Sequence, residues 1–219
     1  MEDNSRYSAC INRWGFQNKK AMQFGNLVLP ISQKLDNAEM TQFLLESIII
    51  RISCSVEEFL TCIISIATAR SESKMKTYFM KYGNEETKRQ IKNGCNLGML
   101  ISFAVAEISF KDNAKKFERV FNYLFGSVPF PDQDSKDYFL DMILVRNIIV
   151  HSGGWPNVSH ARQIRHSNAI KISANIGEGK AKHSFYKLEL TDIKFFGYLI
   201  IALGKIMIHI ASIIGQNST

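Results

Sequence analysis

Val145-Arg146-Asn147-Ile148-Ile149-Val150-His151 sets a guanidinium, an amide and an imidazole at the end of an apolar helical run. Ser152-Gly153-Gly154 follows and stops it, because glycine just past the last turn suits the backbone that closes a helix. Asn147 and His151 are four residues apart and share one helix face. Leu140 and Leu144 carry that stripe toward the N-terminus, so it is apolar first and polar last. Arg146 lies about 100° round the helix from Asn147, but its long side chain has the reach to swing back to the histidine. Asp134 or Ser135 is expected to cap the start of this helix.

Outward from this run, helical patterns dominate. From Asn37 to Ala69, Leu45, Ile48, Ile49, Ile52, Val56, Phe59, Leu60 and Ile63 recur at intervals of three and four, the period of one buried helix face. Shorter helices are expected over 73–82, 85–93, 97–110 and 113–125, with Gly83-Asn84 as a turn and Gly126, Pro129 and Pro131 ending the series. Residues 6–24 are weakly helical, and Leu27 to Ile31, with Pro30, reads as a connection. Beyond the motif the period changes to two over 169–174 and 184–190, with Gly177-Glu178-Gly179-Lys180 between them. This pattern predicts a β-hairpin. Thr191 or Asp192 then caps a last apolar helix through Ile214. The expected fold class is all-α: a helical bundle with a small β-hairpin inserted before the C-terminal helix. One domain is expected over residues 1–219, with its core at about 36–215 and residues 1–35 as an N-terminal extension.

Apolar residues make up 46% of the chain, enough for a proper core, and charged residues 21%, too few for a disordered one. The net charge of +7 permits a polyanionic partner such as RNA. A solvated basic surface accounts for the charge equally well. Cys10, Cys54, Cys62 and Cys95 are scattered, with no Cys-x-x-Cys. Cys54 and Cys62 read as core thiols, and neither a zinc site nor a disulfide framework is expected. That usage suits a reducing cytosol, and the first residues lack the apolar core of a signal peptide. A cytoplasmic protein is expected. Phe195 to Ile214 is mostly apolar, but Lys205 and His209 interrupt it on one face. A spanning helix would have to bury both, so a core helix is expected and no membrane association.

The motif suits metal-free RNA cleavage, with no cofactor. A base takes the proton of a ribose 2′-hydroxyl, and that oxygen attacks the adjacent phosphorus. An imidazole titrating near neutrality serves as base or acid. A guanidinium binds the charge that gathers on the phosphoryl oxygens. Asn147 holds the phosphate or orients the imidazole. Just after the motif, His160, Arg162, Arg165 and His166 form a basic cluster preceded by Trp155. These residues suit phosphate binding and base stacking; they suit a solvated loop with a partly buried tryptophan as well. Glu57 falls near the apolar arc of its helix, where a carboxylate wants a cation such as Arg146 or His151. It reads equally as an ordinary surface glutamate. Lys111, Lys115, Lys116 and Arg119 read most simply as an exposed helix face.

The string Leu144-Val145-Arg146-Asn147-Ile148-Ile149-Val150-His151-Ser152-Gly153-Gly154 resembles the signature of HEPN domains: Arg, a polar residue that is often Asn, a short spacer, then His, closing a helix of an all-helical domain. An apolar helix ending Val56-Glu57-Glu58-Phe59 is a second, weaker likeness. The resemblance implies a metal-independent endoribonuclease. Arg146 and His151 would be its catalytic pair, and Asn147 the supporting polar residue. It also implies a homodimer with two motif helices in one cleft, a toxin–antitoxin or antiviral-defence setting, and an antitoxin or regulatory protein as partner. Some members of the family are inactive, so the alternative is a helical module that binds nucleic acid or protein without turnover. Gly153 stands where one toxin subgroup carries a tyrosine, a departure from that subgroup.

Overall fold

The structure, a computed structural model, describes residues 5–16, 19–20, 23, 38–108, 114–152, 158–167, 170–176, 184–190 and 193–216. It is predominantly helical. Residues 5–16 form α1, followed by α2 (Ala38–Arg70), α3 (Glu72–Tyr82), α4 (Glu85–Lys92), α5 (Leu97–Glu107) and α6 (Ala114–Phe125). Next come α7 (Gln133–Ser152), the short α8 (Val158–Ala161), strands β1 (Ile170–Ile176) and β2 (Ser184–Leu190), and α9 (Ile193–Gln216). The chain divides into two compact units, one of residues 1–15, 56–130 and 207–219, the other of residues 16–55 and 131–206.

The first unit is built on aromatic packing. Tyr7 and Trp14 on α1, Met75, Tyr78 and Phe79 on α3, Leu100 on α5, and Val120 and Phe121 on α6 are all buried. Trp14 lies tilted on Phe59, with ring centroids 6.0 Å apart. Asn84 and Asn96 cap α4 and α5, accepting the backbone N–H of Thr87 at 2.8 Å and of Met99 at 2.9 Å. These bonds satisfy donors that a helix start leaves without partners. Gly126 closes α6 at a φ of 70°, a conformation glycine adopts freely, with its N–H on the Asn122 carbonyl.

Helix α1 falls in the stretch expected to be helical, residues 6–24, and buries Tyr7 and Trp14. One expectation changes here. The cysteines are not all isolated thiols: Cys10 on α1 and Cys62 on α2 form a disulfide, with Cα atoms 6.4 Å apart. Cys54 is an exposed thiol rather than a core one, and Cys95 is buried. The pairing joins positions 52 residues apart. Spacing along the chain carries no signal for it, because only the packing of α1 brings the two together.

In the second unit the expected stripe of α2 is inward: Leu45, Ile48, Ile49 and Ile52 are buried. They share a core with Phe139, Met142, Val145 and Ile148 of α7 and Phe195, Phe196, Leu199, Ala202 and Leu203 of α9. The buried Ser53 hydroxyl turns back to the Ile49 carbonyl at 2.8 Å, so that hydroxyl is not stranded. β1 and β2 pair antiparallel, with Ile170 opposite Leu190 and Ile176 opposite Ser184. The Ile170–Leu190 end is buried, and the Leu190 N–H donates to Gln42 on α2 at 3.0 Å.

The C-terminal helix is apolar, and Phe195–Gln216 is long and apolar enough to cross a membrane, with a mean hydropathy of 1.9 in its most apolar window. Its two polar interruptions have partners. Lys205 Nζ lies 3.6 Å from Asp132, and His209 Nε2 donates to the Val128 carbonyl at 3.0 Å.

The cap of α7 is Asp132, two residues before the expected Asp134. Its carboxylate accepts the Ser135 N–H at 2.7 Å, because the helix begins at Gln133. That backbone bond, aided by the Ser135 hydroxyl and the Lys205 ammonium, holds the Asp132 carboxyl below the usual carboxylate range. A depressed carboxyl stabilises the fold above its ordinary pKa, and the contribution disappears as pH falls through the folded value. Asp132→Ala should therefore cost about 1 kcal/mol at neutral pH. The difference from wild type should close on acidification, as read by urea unfolding at several pH values. A gap independent of pH would rule out the charged cap.

Candidate active site on α7

The inner face of α7 is fixed by Met142, Val145 and Ile148, all fully buried. Arg146 and Asn147 come next to this face and are half-buried, while His151 stands exposed on the last turn. The structure brings these three side chains together. One guanidinium nitrogen of Arg146 donates to Asn147 Oδ1 at 2.9 Å and lies 3.3 Å from His151 Nε2. The arginine thus swings back across the helix surface. With the guanidinium as donor, Nε2 is the acceptor and Nδ1 carries the hydrogen. The helix C-terminus favours cationic side chains here. Asn147 aims the planar guanidinium fork, whose geometry matches a phosphate. A proton acceptor and an anion-binding group so lie within one hydrogen bond of each other.

Of the other sequence candidates, Glu57 is half-buried on α2 and belongs to the first unit. Its neighbour Glu58 pairs with Arg13 of α1. His160 is half-buried on α8, and Arg162 is exposed just beyond that helix. Trp155, Gly153 and Gly154 lie outside the described residues, as do Lys111 and residues 177–180. Among the described residues, no three His, Cys, Asp or Glu side chains gather as a metal-ligand set.

Arg165, which is exposed, and His166, which is half-buried, are both bound to one buried carboxylate. Asp141 on α7 is fully buried. Its carboxylate accepts the Arg165 N–H at 3.1 Å, the His166 N–H at 2.8 Å and the His166 ring Nδ1–H at 2.8 Å. The Arg165 guanidinium bridges Asp137 at 3.1 Å and approaches Asp141 at 3.5 Å. Tyr138 stacks on the His166 ring, with centroids 3.9 Å apart and planes 21° from parallel. The carboxylate therefore clamps residues 165–166 onto α7. The clue was present as a lone acid between Leu140 and Met142, inside an apolar run. A carboxylate there requires donors, the argument applied to Glu57 instead. Asp141 precedes Arg146 by five residues, about 7.5 Å along a helix axis, and its carboxylate already engages the His166 ring nitrogen.

Removing the Asp141 carboxylate leaves two backbone N–H groups and an imidazole N–H without their acceptor. Asp141→Ala should destabilise the protein by about 3–5 kcal/mol, whereas Asp137→Ala, which breaks a more exposed pair, should cost no more than about 1 kcal/mol. Thermal and urea unfolding of the two variants measures this. Equal stability of Asp141→Ala and wild type would show that no such clamp exists.

No family model matches this chain, and neither a curated protein nor a solved structure does.

Proposed function

We propose that the protein is a metal-independent endoribonuclease of the HEPN type, with Arg146, Asn147 and His151 as its active site. The observation that carries the reading is the approach of the Arg146 guanidinium to both Asn147 and His151 on one exposed helix end. RNA phosphate entering beside Arg146 draws the guanidinium toward its oxygens and releases His151 Nε2. The imidazole then takes the 2′-hydroxyl proton. The 2′-oxygen bonds to phosphorus, the bond from phosphorus to the 5′-oxygen breaks, and the leaving oxygen takes a proton from a second acid. The products are a 2′,3′-cyclic phosphate and a free 5′-hydroxyl. Arg146 stabilises the charge that builds on the phosphoryl oxygens, and Asn147 keeps it aimed.

The second acid is the His151 of a second copy in a two-fold homodimer. A two-fold axis brings the same surface of both chains together and so supplies two imidazoles at one phosphate. Leu140 and Leu144, on the stripe that ends in Asn147 and His151, are only half-buried and leave apolar surface for that contact. The resemblance favours a cytoplasmic toxin–antitoxin or antiviral-defence role, restrained by an antitoxin or regulatory protein.

Purified protein should cut RNA in excess EDTA and leave 2′,3′-cyclic ends. His151→Ala and Arg146→Ala should each lose at least about 10²-fold in rate while keeping the fold, and Asn147→Ala should lose less. Mixed dimers of wild-type and His151→Ala chains should be impaired beyond their share of mutant sites. Cleavage that requires Mg²⁺ and leaves 5′-phosphates, or near-normal rates in both single variants, would overturn the assignment.

A further inference from the structure

The first unit carries an exposed aromatic ring beside two cations. Tyr82 ends α3 and is 41% exposed. The Arg119 guanidinium of α6 stands 5.3 Å from its ring centroid, and the Lys81 ammonium 5.1 Å. Lys115, one helical turn before Arg119, is also exposed. Behind Tyr82 the ring of the buried Tyr78 lies 5.1 Å away, itself 5.1 Å from Tyr123. Tyr78 donates to Glu107 at 3.3 Å, and burial pushes its phenol well up, so it stays a neutral donor. Lys74, near the Tyr123 ring, donates to the Leu124 carbonyl. The platform is therefore rigid. Glu85 pairs with Lys88, Glu86 with Arg89, and Glu107 accepts from Tyr78. Packing of α3 on α6 accounts for one cation on the ring. It does not account for a tyrosine left open to solvent with two cations on its ring.

We infer that Tyr82, Arg119, Lys81 and Lys115 form a binding patch for single-stranded RNA. Tyr82 stacks an unpaired base, and the cations hold the adjoining phosphates. Base stacking on an aromatic ring beside cations is the general means of gripping a single strand without reading its sequence. A duplex keeps its bases stacked on each other and offers the ring nothing. The inference rests on RNA being the substrate, and it names a grip that the α7 triad does not provide.

The test is anisotropy titration of a labelled, single-stranded 2′-O-methyl RNA, which cannot be cut by 2′-hydroxyl attack, with the full-length chain. Tyr82→Ala should weaken binding about tenfold, and Tyr82→Phe should retain it. Arg119→Gln and Lys115→Gln should each weaken it and lower the salt dependence by about one unit of slope. A duplex of the same sequence should be insensitive to Tyr82→Ala. Wild-type-like binding by Tyr82→Ala and by Arg119→Gln overturns the patch, and if such variants still cleave natural RNA, the nuclease reading survives. Conversely, binding that depends on Tyr82 in a protein that cleaves nothing keeps the patch and removes the nuclease. A wild-type chain that binds no single strand overturns the inference.

Discussion

The 3.3 Å approach of Arg146 to His151 Nε2 is useful only if α7 does not move, and most of what is built into the second unit holds that helix. A side chain as long as arginine loses considerable freedom when fixed in one direction. Asn147 offsets part of that cost by accepting from the same guanidinium nitrogen. Below them, Val145 and Ile148 are fully buried, so the last turns rest on close-packed apolar surface. Asp132 fastens the other end of α7 by accepting the Ser135 N–H. The helix is fixed at its start and along its inner face, and its reactive groups project at the opposite end.

Asp141 adds a second kind of restraint. A carboxylate taken fully out of water is expensive unless donors surround it. Here the donors come from one short segment, residues 165–166, through backbone and ring N–H groups. The cost of the buried charge thus becomes a preference for one position of that segment over others. Tyr138 and Phe195 enclose the His166 ring at centroid distances of 3.9 and 5.8 Å, which keeps water from competing for the carboxylate. The two polar sites on α7 differ accordingly: one is enclosed and structural, the other open and suited to chemistry.

The all-helical character was legible because apolar residues at intervals of three and four need only the local chain to be read. The α2 stripe from Leu45 to Ile63 is inward as its period requires. The nearness of Asn147 and His151 was legible for the same reason, since positions four apart share a helix face; Arg146 joins them because its long side chain reaches back across the helix surface. What escaped was long-range. Cys10 meets Cys62 only because α1 folds back against α2. Arg165 reads as a free cation until α7 supplies Asp137 and Asp141 across more than twenty residues. The start of α7 was displaced because Asp132, Asp134 and Ser135 are all good caps, and only the backbone path selects one.

The central claim is that a 2′-hydroxyl of the RNA is the nucleophile, activated by His151 beside Arg146. It is tested most directly with an oligonucleotide that the protein cuts at one known bond. The ribose 5′ to that bond is replaced by a single 2′-deoxyribose, and cleavage is followed in EDTA. The account predicts that the substituted bond resists cleavage while the strand still binds. Cleavage at the 2′-deoxy position at an undiminished rate would contradict it.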